Sequence, residues 1–193
     1  MSETTQFKII QFYSKMNNNF VYKSMIYLML NSVLFHFIHE LGHLLTAIIF
    51  GGKAIGIYYD NFCLYAATKS NSVQCRQAIL IGGTLFACIV ALIIETIAII
   101  KKNIYLHLSM AIIISAEICS WGINAVLGMG DAALYLSYIN PNFLFLFGFV
   151  FIMLLIGIVI FIINMNISFW LIEQYKEKHS LENLCIKIIY KVL

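Results

Sequence analysis

His39, Glu40 and His43 stand in the run His39-Glu40-Leu41-Gly42-His43, an H-E-x-x-H motif. On a helix, residues four apart share a face, so two imidazoles at this spacing can reach one Zn²⁺. Zinc lowers the pKa of a bound water towards about 7 and polarises a carbonyl. The intervening glutamate is placed to take a proton from that zinc-bound water and return it to a leaving amine. A catalytic zinc also needs a third protein ligand. Asp131, Glu95, Glu117, His36 and His107 are the candidates, and Asp131 is preferred. Glu117, Asn124 and Asp131 are seven apart and share one stripe if a helix continues that far. Two histidines one turn apart cannot serve as opposite axial ligands of one haem.

The elements that must carry these residues are apolar. The chain has 193 residues, 62% hydrophobic and 11% charged, with a mean hydropathy of +0.90. A soluble domain has roughly a quarter of its residues charged, so lipid is the natural solvent. Long apolar runs cover 20–50, 78–100, 104–127 and 143–172. Each can span a bilayer as a helix, which takes about 20 residues. The expected fold is an all-α polytopic membrane protein with about four transmembrane helices. A short β-like segment at the membrane edge, 54–68, follows the first, because Ile, Tyr and Phe partly alternate there. Residues 1–19 form a polar or interfacial segment without a signal-peptide pattern, 20–172 the membrane domain, and 173–193 an amphipathic tail. Lys101, Lys102 and Asn103 make a very short turn, and Gly128 and Gly130 suggest a broken or bent helix end.

Charged groups inside a bilayer cost about 2.5 kcal/mol or more, so intramembrane acids invite a functional reading. Glu95 and Glu117 are read either as partners to a zinc-bound histidine or as neutral groups hydrogen-bonded between helices. His36 steadies the site, contacts substrate or packs; His107 is expected at the interface and His179 in solvent. The cysteines are scattered and odd in number, mostly packing residues, although Cys63 and Cys75 share a loop and could pair. No basic stripe with interleaved aromatics is present, which argues against nucleic acid. Lys53, Lys69 and Arg76 lie on one side of the spans and the more numerous other lysines on the opposite side. The positive-inside rule places both termini in the cytoplasm.

The run from His36 to Leu45, followed by Gly51-Gly52-Lys53, resembles the site-2 protease class of intramembrane metalloproteases, peptidase family M50. The resemblance spans about residues 30–135. It implies Asp131 as third zinc ligand, an edge sheet after the motif helix, and a site opening toward the cytosol, whereas the charge count puts the end of the first span outside. The family's proline before the aspartate is absent, Ala132 stands where glycine is usual, and Gly83-Thr84-Leu85-Phe86-Ala87 lacks the proline and asparagine of the family's middle span. Asn124 is then a candidate for oxyanion stabilisation. The implied activity is zinc-dependent hydrolysis of a peptide bond in a small membrane-bound peptide or single-span protein, in a bacterial cell membrane. Rival readings are a non-catalytic binding or immunity protein of the same fold and a membrane zinc transporter.

Overall fold

Four helices are long and apolar enough to cross a membrane. The computed structural model describes residues 18–60 and 63–192. The elements run α1 (Asn18–Ile49), β1 (Lys53–Asp60), β2 (Cys63–Lys69), α2 (Val73–Ile100), α3 (Ile104–Leu127), α4 (Gly130–Ile139) and α5 (Phe143–Val192). The chain is therefore an all-α polytopic membrane protein with one small sheet at the end of the first span. The expected interfacial segment at 5–16 lies outside the described residues.

Local chemistry sets the boundaries. Ser72 caps α2, its side chain accepting from the Cys75 N–H, and Asn103 caps α3 by accepting from the Leu106 N–H. Lys101 to Asn103 form the tight turn between them. Helix α3 ends at Gly128, in the left-handed region at φ 68°, and Gly130 repeats this at φ 64°. The helix thus breaks before Asp131, and the chain re-enters helix as the separate 10-residue α4. The continuous stripe from Glu117 through Asp131 does not form. At the expected tail the backbone continues α5 without interruption to Val192.

The β-like segment is an antiparallel hairpin, pairing Ala54 with Thr68 and Ile57 with Ala66. Cys75 is a buried free thiol.

Helix α2 packs against both α1 and α3, which also touch each other. Its buried residues include Ile79, Gly83, Ala87, Ala91 and Glu95, every fourth position. The small side chains in this stripe let helix backbones approach closely, which is how helices associate where lipid is as apolar as the core. Phe35 of α1 and Met110, Ile113 and Ile114 of α3 close over it. Helix α5 packs along α3 and otherwise faces outward, with only 6% of its spanning window buried against 28% for α1.

Candidate metal centre

The H-E-x-x-H motif occupies the last third of α1, within seven residues of the turn that leads into β1. Gly42 is the crossing point with α2. A Cβ there would lie 2.7 Å from the Gly82 carbonyl oxygen and 2.7 Å from Phe86 Cβ. The crossing sets α2 against the face that carries His39 and His43. Gly83 lies directly under both rings: a Cβ on it would stand 2.5 Å from His43 Nε2 and 2.7 Å from His39 Nε2.

Asp131, on the first turn of α4, closes the cluster. Its Oδ2 lies 3.1 Å from His39 Nε2 and 3.1 Å from His43 Nε2. One ligand atom from each residue falls within 4.8 Å of the others. Atoms about 2.0–2.1 Å from a tetrahedral zinc stand about 3.3 Å apart, which the two 3.1 Å distances to Asp131 approach. Asp131 lies outside the spanning segments. Burial opposes its charge, yet hydrogen bonds from His39 and His43 prevail and hold its carboxyl below the usual carboxylate range.

The other ring nitrogens are anchored. His39 Nδ1–H donates to Glu117 Oε2 at 3.1 Å, and His43 Nδ1–H donates to the Ile79 carbonyl at 2.6 Å. Such bonds fix the orientation of metal-binding histidines, and a metal ion would take the place of the protons that Nε2 shares with Asp131 here. The donor set and these anchors fit a divalent zinc site with three protein ligands. Glu40 is buried, and its Oε2 accepts from the Ala66 N–H of β2 at 2.7 Å. The hairpin therefore positions the one motif residue that the metal does not need.

The remaining candidates separate clearly. Glu117 belongs to the site through His39. Asn124 sits beneath Gly130, whose Cβ position would be 3.4 Å from its Nδ2, beside the site rather than in it. His36, three residues before His39 on a nominal shared face, is exposed. Glu95 lies against His107 rather than His39 or His43, its Oε1 3.3 Å from Nδ1, close enough for an ion pair but not aligned as a hydrogen bond. His107 is fully buried rather than interfacial, because the short turn starts α3 already packed and the Asn164 carbonyl of α5 lies 3.2 Å from its Nε2. Thr84 accepts from the Trp121 indole N–H at 2.6 Å, tying α2 to α3 beside the site.

Sequence reading missed Gly83, Gly42 and the Ala66 N–H. Small residues recurring every fourth position, at 83, 87 and 91, were a usable signal for the first. Compared with family models, curated proteins and solved structures, the chain matches none.

Proposed function

We propose that this protein is an intramembrane zinc metallopeptidase of the site-2 protease type. It would cut a peptide bond in a small membrane-bound peptide or single-span protein. The observation that carries the reading is the convergence of His39 Nε2, His43 Nε2 and Asp131 Oδ2 with both Nδ1 atoms already anchored. Zinc held there supplies a Lewis acid that polarises the scissile carbonyl and lowers the pKa of water. Glu40 takes the proton from the attacking water and delivers it to the leaving amine. Glu117 and the Ile79 carbonyl hold the imidazoles in register.

Substrate must be extended to be cut, and an extended chain within a membrane needs partners for its backbone groups. Strand β2 offers them. An N–H that reaches Glu40 is not in the ladder with β1, so Ala66 turns to the outer edge. By the alternation of antiparallel pairing, Leu64 and Thr68 turn their backbone groups to the same edge. A substrate strand added along this edge lies beside Glu40. The assignment to a bacterial cell membrane follows from the resemblance of residues 30–135 alone.

Metal content by mass spectrometry on detergent-purified protein tests the reading. About one zinc per chain is expected, lost in His43→Ala and Asp131→Ala. Glu40→Gln should keep zinc and stop substrate processing. Zinc-free wild type, or unchanged processing by Glu40→Gln, refutes it.

A further inference from the structure

Beside the metal centre opens a cavity of about 240 Å³. Its walls include Thr68, Lys69 and Ser70 at the end of β2, Arg76 and Ile79 at the start of α2, and Tyr138 on α4. None of these walls is α1, which carries the motif, but each of the three elements touches the candidate centre. Ile79 gives its carbonyl to His43, α4 begins with the turn that carries Asp131, and Thr68 is two residues along β2 from the Ala66 N–H that holds Glu40.

The cavity is electropositive, and its guanidinium is pre-oriented. Arg76 Nε donates to Ser70 Oγ at 3.0 Å and Nη1 donates to the Tyr138 hydroxyl at 3.4 Å. Among the described residues no carboxylate pairs with Arg76 or Lys69. A guanidinium has five N–H donors in a planar fork that matches a carboxylate in two-point geometry. Two neutral oxygens steer this fork, and neither neutralises it.

Strands advance about 3.3 Å per residue. A substrate strand laid along this edge, pairing at Leu64 and Thr68 while Glu40 keeps the Ala66 N–H, therefore reaches Lys69 and Arg76 two or three residues away from the bond beside Glu40. We propose that the cavity is a specificity pocket for a substrate carboxylate two or three residues from the scissile bond. That carboxylate is an Asp or Glu side chain or the C-terminus of the peptide. This rests on the peptidase reading and defines which peptides the site accepts. A substrate group is favoured over a lipid phosphate because each wall has one contact with the candidate site, through Ile79 to His43, Ala66 to Glu40 and Asp131 on α4.

The test uses the full zinc-loaded chain in detergent, with a proteome-derived peptide library as probe and cleavage sites read by mass spectrometry. One library has free C-termini and the other amidated C-termini. Wild type should cut peptides enriched in Asp or Glu two or three residues from the cut, or, if the terminus is read, only the free-terminus library near its ends. Arg76→Gln and Lys69→Gln should each lower the acidic-over-neutral ratio by about tenfold, the order expected for a charge-assisted bond. Zinc content must match wild type in both variants. Cleavage by wild type with no acidic or terminal preference, or a preference unchanged in both variants, overturns the pocket and leaves the peptidase reading standing. No cleavage by zinc-loaded wild type overturns both. Absence of preference together with stimulation by phosphatidylglycerol vesicles that Arg76→Gln abolishes reassigns the cavity to lipid phosphate and overturns the proposal.

Discussion

His39 and His43 are oriented by anchors of different kinds, and the difference can be measured. His43 leans on a backbone carbonyl, which no side-chain substitution removes. His39 leans on Glu117, whose carboxylate also strengthens the imidazole as a ligand. Glu117→Gln keeps the shape and one acceptor but loses the charge. Zinc affinity should fall by about 10–100-fold, the usual cost of losing such a partner, as read by competition with a chromophoric chelator. Glu95→Gln should leave that affinity unchanged, because Glu95 faces His107 instead. Equal effects from the two substitutions would contradict the assignment of Glu117. The sequence marks both acids as intramembrane and ionisable but does not separate them. Their spacing from the motif is unrelated to which of them faces it; helix packing decides that.

The elements that were legible are those defined by local pattern. Apolar run length specifies the four spans, alternation specifies the hairpin, and the i, i+4 spacing puts both imidazoles on one face. What sequence pattern does not carry is where one helix lies against another, so the buried His107, the exposed His36 and the hairpin's hold on Glu40 emerge only with the packed structure. The break between α3 and α4 was half legible. Gly128 and Gly130 announce it, but the helix beyond them depends on burying Ala132 and Leu136 against neighbours. The α1–α2 crossing makes a sharp prediction at this scale. Gly83→Ala puts a methyl group 2.5 Å from His43 Nε2, on the metal-facing side of the ring. Helix α2 cannot back away without opening its contact with Gly42, where Gly82 and Gly83 already touch. Overpacking of this kind costs about 1–3 kcal/mol, and here the ligand atoms are what must move. Zinc stoichiometry should drop while far-ultraviolet circular dichroism stays helical. A full complement of zinc in Gly83→Ala would show that the helices are not held this closely.

Across the whole molecule, ionisable groups gather at two depths, and the two clusters have different work. From Gly83 at the metal centre to Glu95 is 12 residues of α2, about 18 Å along its axis. At the far end Glu95 and His107 are almost wholly removed from solvent, with Asn164 of α5 as the third member. No third ligand-type side chain joins this pair among the described residues, and its contacts tie α2, α3 and α5 together. Its energetics follow from burial. Removing one partner strands a polar or charged group in the bundle, at a cost of about 3–5 kcal/mol, whereas replacing both by apolar residues of similar volume is often neutral. Glu95→Leu and His107→Leu should therefore each lower the thermal midpoint in detergent, and the double variant should recover most of the loss. Zinc per chain should stay at the wild-type level in all three, because the metal centre is built from α1, α4, the hairpin and the other ends of α2 and α3. Additive destabilisation in the double variant would show that the two residues do not act as a pair. Zinc lost from the single variants would show that the two ends of the bundle are coupled, and the far cluster would then belong to the function as well as to the fold.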